Sequence, residues 1–175
     1  RMRVATGELV GVEALVRWQH PRRGLLPPAR FIDVAEDSGL IVPIGEWVLD
    51  AACGQAAAWQ ARRPGLRVSV NLSVKQFRRP DLAKTIRDAL AECDLPPRFL
   101  ELEIDETCLM LNAEASMEIL KSLREIGVRV LVAGFGAGYS SISYLGQFAI
   151  DVVQSSPLAV RQYHVKDRHG ADAVR

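Results

Sequence analysis

The sequence predicts an α/β fold built from repeated βα units around a mostly parallel sheet, and three observations predict it. Residues 67–73 and 99–105 alternate apolar and polar side chains, the period of a half-buried strand. Further strand-like runs at 128–133 and 150–153 are set apart by helical patterns of roughly 10–18 residues, the spacing of parallel crossover units. The apolar fraction of 49% and charged fraction of 25% belong to a chain with a core, which excludes disordered, collagen-like and disulfide-scaffold classes.

Taken in order, residues 2–5 run into the turn Thr6-Gly7-Glu8 and form a hairpin with a strand over 9–18, which His20-Pro21 and Gly24 break. Phe31, Ile32 and Ala35 mark a short helix that Gly39 closes. From Pro43, the positions Ile44, Trp47, Val48, Ala51, Ala58 and Trp59 keep helical spacing up to Pro64-Gly65. In the strand 67–73, Val68, Val70 and Leu72 share one face, and Ser69, Asn71 and Ser73 the other. Asp81 opens a helix carrying Leu82, Ile86 and Leu90. A second helix spans 112–126, with Ile119, Leu120, Leu123 and Ile126 inward and Gly127 at its end. Gly134-Phe135-Gly136-Ala137-Gly138 reads as a loop and 139–145 as a further helix. One domain is expected over 1–163, and 164–175 as a polar tail or the start of a helix. No short-period repeat is visible, which excludes solenoids and propellers.

Twenty-two Lys plus Arg against twenty-one Asp plus Glu leave +1, so no bulk field recruits a nucleic acid polymer or an anionic membrane. Cys53, Cys93 and Cys108 are odd in number and lack a CxxC pair; they read as small buried hydrophobes in a reducing cytoplasm. No apolar run approaches the ~20 residues of a spanning helix, and no signal-peptide pattern opens the chain. A cytoplasmic location is expected, with a membrane tether elsewhere in a longer parent chain compatible with the sequence.

The polar faces carry the chemistry. Glu101, Glu103 and Asp105 share one face of their strand, and an inward carboxylate costs several kcal/mol of desolvation unless it meets a cation or donors. Strand ends of this kind are where barrel and doubly wound enzymes place reactive groups. Glu13, Asn71 and Glu103 read as three oxygen ligands converging on one mouth, a set suited to Mg²⁺ or Mn²⁺ rather than zinc. Blander readings stand beside these. Glu13 and Arg17, four residues apart, suit an intrastrand ion pair; Asn71 suits an internal hydrogen bond; Glu101 suits a solvated rim charge. His20 reads as a turn residue, and His164 with His169 as a solvated pair. A dinucleotide loop at Gly134-Phe135-Gly136 fails because Tyr139 stands where the third glycine is required.

The block Glu13-Ala14-Leu15-Val16-Arg17-Trp18 resembles the signature of bacterial EAL domains, which hydrolyse cyclic di-GMP to the linear dinucleotide. The resemblance continues through His20-Pro21, Pro28, Phe31-Ile32, Gly45, Asn71-Leu72-Ser73, Gln76-Phe77, Leu102-Glu103-Ile104 and Phe135-Gly136. It implies a (β/α) barrel of EAL type whose first strand runs antiparallel to the rest. This chain would supply about six of the eight barrel strands. It implies metal-ligand roles for Glu13, Asn71 and Glu103, and ligand contacts by Glu13, Leu15 and Arg17. Arg17 would grip a phosphate and Mg²⁺ or Mn²⁺ would activate water.

Departures from the pattern are expected to abolish catalysis. Two adjacent aspartates of the family are replaced by Ala133 and Gly134, and a Lys-x-Asp motif by Gln154-Ser155-Ser156. The expected function is therefore a degenerate EAL domain acting as a cyclic di-GMP receptor or a protein-interaction module, needing no metal. Its protein partners would be other signalling domains or a second copy of the chain. A metal-dependent phosphodiesterase with residual activity, Asp105 serving as a substitute ligand, and a pure protein-binding scaffold are the alternatives.

Overall fold

The computed structural model describes residues 1–3, 5–135, 148 and 150–155. The repeated βα pattern becomes a five-stranded sheet whose neighbouring strands are all parallel, in the order β1 (Gly11–Ala14), β4 (Arg67–Asn71), β5 (Leu100–Asp105), β6 (Arg129–Phe135) and β7 (Val152–Ser155). A separate antiparallel pair, β2 (Trp18–His20) and β3 (Gly24–Leu26), follows β1. The antiparallel sense expected of the first strand survives as a single bridge between Met2 and Leu9.

Helices cover the sheet because its apolar residues need a dry partner. Val68, Val70, Leu100, Leu102, Ile104, Val130 and Val132 pack in one cluster with Leu49, Cys53 and Ala56 of α2 (Ile41–Gln60), Ile86 and Leu90 of α4 (Leu82–Glu92), and Leu120 and Leu123 of α6 (Ala113–Ile126). Each such Val, Leu or Ile side chain contributes roughly 1.5–3 kcal/mol by leaving water. The helix ends carry local signals. The Asn112 side chain accepts the Ala115 N–H at 3.1 Å, and α6 stops at Gly127, whose φ of 92° an L side chain resists. α1 (Ile32–Ser38) ends at Gly39 as expected. Asp81 precedes α4, but its carboxylate pairs with Arg79 instead of capping the helix.

The structure departs from the sequence reading at three places. The strand expected over 9–18 is two strands, because the chain leaves the sheet after Ala14 and exposes Leu15 and Arg17. It then turns into the β2–β3 hairpin, where His20 Nδ1 accepts the N–H groups of Arg22 and Arg23 at 3.0 and 3.2 Å. His20 is thus the turn residue it was expected to be. Two short helices were not anticipated: α3 (Val74–Phe77) and α5 (Glu106–Met110). The Ser73-x-x-Gln76 capping box that starts α3 is legible in the sequence. No helix among the described residues is long and apolar enough to cross a membrane. The segments 136–147 and 156–175, with Ser156, His164, His169 and the helix expected at 139–145, lie outside the described residues.

Candidate functional site

The site gathers at the C-terminal ends of β1, β4 and β5. Strand register sets Glu13 opposite Ser69, and Asn71 opposite Glu103, so the three expected ligands stand on adjacent strands. Asn71 Nδ2 donates to Glu13 Oε1 at 2.8 Å. Glu103 is buried at 7% exposure, and Arg1 Nη2 donates to its Oε2 at 2.7 Å. Burial, and then the nearby Glu13 carboxylate, push the Glu103 carboxyl above the usual carboxylate range, while Arg1 opposes them.

A cleft of about 270 Å³ opens over Asn71 and Glu103 but not Glu13, lined also by Leu15, Pro28, Ile32, Gly45 and Asp105. The cleft floor is held from beneath. The Gln76 side chain, buried and packed against Gly45, accepts from Ser73 Oγ at 3.0 Å and fixes the turn that follows Asn71. A Cβ on Gly45 would stand 1.9 Å from Gln76 Nε2, so only glycine admits this packing.

Arg17 does not line this cleft. Its guanidinium donates to the Val16 and Leu15 carbonyls at 2.9 and 3.3 Å, and it borders a neighbouring apolar groove with Trp18, Phe31, Val34, Leu40 and Trp47. The intrastrand ion pair with Glu13, the blander reading of this spacing, is not among the described ion pairs; Glu13 Oε1 accepts from Asn71 instead. Sequence reasoning missed this groove, because the exposure of Val34, Leu40 and Trp47, which lie on α1, between the helices and on α2, is set by how those elements pack.

Glu101 also needs correction, because it is not a solvated rim charge. It is 4% exposed and sits among Arg1, Arg67 and Arg129, with Arg129 Nη1 at 2.9 Å and Ser69 Oγ donating at 3.3 Å. Four donors answer the desolvation cost that a lone carboxylate would carry there.

Among the described residues, the side-chain oxygens near Glu103 are few for a two-metal centre. Asp105 faces Ala133 across the β5–β6 ladder, and Gly134 follows it, so this stretch of β6 offers no side-chain oxygen. Among the described residues no three His, Cys, Asp or Glu side chains form a group able to hold an ion. Gln154 lies exposed on β7.

The EAL domain family model matches residues 1–175. This chain belongs to the EAL domain family. It is 39% identical over 158 residues to the cyclic di-GMP phosphodiesterase PdeR of Escherichia coli, covering 90% of this chain and 24% of that protein. To the bifunctional diguanylate cyclase/cyclic di-GMP phosphodiesterase MucR of Pseudomonas aeruginosa it is 46% identical over 140 residues, covering 79% of this chain and 20% of that protein. The solved complex of the PaMucR phosphodiesterase with c-di-GMP superposes with a TM-score of 0.85 at 37% identity, over 97% of this chain and 67% of that one. The chain spans about a fifth of the length of the curated relatives it matches. The barrel-type EAL fold expected from the sequence is thereby established, with Glu13, Asn71 and Glu103 on its strand ends.

Proposed function

We propose that this EAL domain binds cyclic di-GMP without hydrolysing it and so acts as a receptor or interaction module in cyclic di-GMP signalling. The observation that carries the reading is the ladder position opposite Asp105, which holds Ala133. A carboxylate there would extend the row Glu13–Asn71–Glu103 toward β6; an alanine ends it. A displacement that uses two divalent ions needs anionic oxygens to balance their charge and hold both ions near the scissile phosphate. The two carboxylates of this row and Asp105 alone do not supply that set. The β7 stretch at Gln154-Ser155 has neither the ammonium nor the carboxylate that the family pattern carries there.

Groups suited to binding a nucleotide stand in the cleft and beside it. Leu15, Pro28 and Ile32 give an apolar wall on which a purine ring can lie, and the Asn71 amide oxygen is left as an acceptor. Arg17, in the neighbouring groove, supplies a guanidinium that can exchange its backbone carbonyls for a phosphate oxygen. The relatives named as cyclic di-GMP phosphodiesterases and the c-di-GMP complex of PaMucR support this choice of ligand.

Titration calorimetry with cyclic di-GMP, paired with chromatography of the nucleotide after incubation with Mn²⁺, tests both halves. Binding without linear product is the expected result. Linear product above a protein-free blank would favour the residual phosphodiesterase, with Asp105 as substitute ligand. No heat at high micromolar ligand would leave the scaffold reading.

A further inference from the structure

We propose that the Arg1 guanidinium is the resident cation of Glu103 and stands in for a divalent ion, so that ligand binding in the cleft is independent of Mg²⁺ and Mn²⁺. The second half of this inference rests on the receptor reading above; the first half does not.

The contact is built by the fold. Arg1 pairs with the start of β1 through its backbone, its carbonyl accepting the Val10 N–H at 3.0 Å. β1, β4 and β5 lie in that order, so on a flat sheet Arg1 and Glu103 are three strand spacings, about 14 Å, apart sideways, with a further offset of about four residues along the strands. That exceeds the reach of an arginine side chain. They meet nonetheless, Arg1 Nη2 lying 2.7 Å from Glu103 Oε2, a contact that a sheet curved like a barrel wall permits and a flat one does not.

Arg1 is the cation that Glu103 depends on. Glu101, which Arg1 also touches, is separately held by Arg129, Arg67 and Ser69. Glu103 has no other cation among the described ion pairs. A divalent ion would have to displace Arg1, strand a half-buried guanidinium, and recruit Glu13 away from Asn71. In return it would gain few oxygens, because Ala133 and Gly134 offer no side-chain donor. A hard cation that demands near-octahedral oxygen coordination gains too little from that exchange.

The test is an Mn²⁺ titration of the full chain followed by the electron paramagnetic resonance signal of the free ion, for wild type, Arg1→Gln, Arg1→Lys and Arg1→Gln with Glu103→Gln. Wild type and Arg1→Lys should leave millimolar Mn²⁺ free, whereas Arg1→Gln should bind it about tenfold more tightly or better, and the double variant should lose that gain. Equal binding by wild type and Arg1→Gln, or none by either while circular dichroism shows both folded, overturns the proposal. A measurement on wild type alone guards against a variant that fails to fold: its cyclic di-GMP affinity should be the same in EDTA and in Mn²⁺. An affinity that rises about tenfold with Mn²⁺ overturns the proposal as well. If no cyclic di-GMP binds under either condition, the receptor reading fails and the Mn²⁺ titration still decides the role of Arg1.

Discussion

Asn71 Nδ2 donates to Glu13 Oε1 at 2.8 Å and thereby ties the end of β4 to the end of β1. Arg17, four residues beyond Glu13, lies past the point where the chain leaves the sheet and rests on its own backbone carbonyls. Asn71→Asp sets two carboxylates within hydrogen-bond distance. Urea unfolding should show a loss of about 1 kcal/mol or more at neutral pH, recovered as the pair is protonated in acid, whereas Asn71→Ala should lose about 0.5–1.5 kcal/mol with little pH dependence.

Arg17→Ala should separate binding from stability. Among the described residues the Arg17 guanidinium bonds the carbonyls of Leu15 and Val16 and nothing else, so the melting temperature should hold. Loss of a charged phosphate hydrogen bond of about 1.5–3 kcal/mol should raise the cyclic di-GMP dissociation constant roughly ten- to a hundredfold by calorimetry. Unchanged affinity would remove Arg17 from the ligand site.

Gly45→Ala acts at a distance from the cleft surface. The added methyl meets the buried Gln76 amide, which must leave Ser73 and open the capping box of α3. Overpacking of this kind costs typically 1–3 kcal/mol, so a melting temperature lowered by several degrees is expected. Ser73→Ala should cost about 1 kcal/mol through the same cap, and the two losses should fail to add.

The Glu103 carboxyl is pushed above its ordinary value by burial and by Glu13. In the window between the ordinary carboxylate value and this raised one, the folded chain holds more protons than the unfolded chain. Its contribution to stability is present in acid and is lost as pH rises through the raised value. Melting temperatures measured across mildly acidic pH should therefore fall less steeply with rising pH for Glu103→Gln than for wild type. Parallel slopes would refute the assignment.

Gly134 takes a φ of +69° within β6, at the irregularity in its pairing with β7. Gly134→Ala should cost about 1–2 kcal/mol by denaturant titration, because an L side chain resists that conformation. Among the described residues nothing lies within 4 Å of the new Cβ, so the expected loss is conformational.

Much of the fold was legible in the sequence because a strand packed on helices must alternate and a helix must repeat its apolar face. Val68-Ser69-Val70-Asn71-Leu72 and the helix ending at Gly127 follow those periods closely. The break after Ala14 was not legible. The run from Leu9 to Trp18 stays apolar enough for one strand, and only the partners available to β1 and β2 end it.

The sequence by itself determined the family, the parallel βα order, and the residue types at the strand ends, including Ala133 and Gly134, which carry no side-chain oxygen. Those follow from local period and from side-chain chemistry, which neighbours cannot alter. Tertiary structure alone decided which charges meet. Glu101 is buried among three arginines, Glu103 is answered by Arg1, and Arg17 stands outside the cleft. Such pairings depend on sheet curvature and strand register, which bring residues about a hundred positions apart within hydrogen-bond distance.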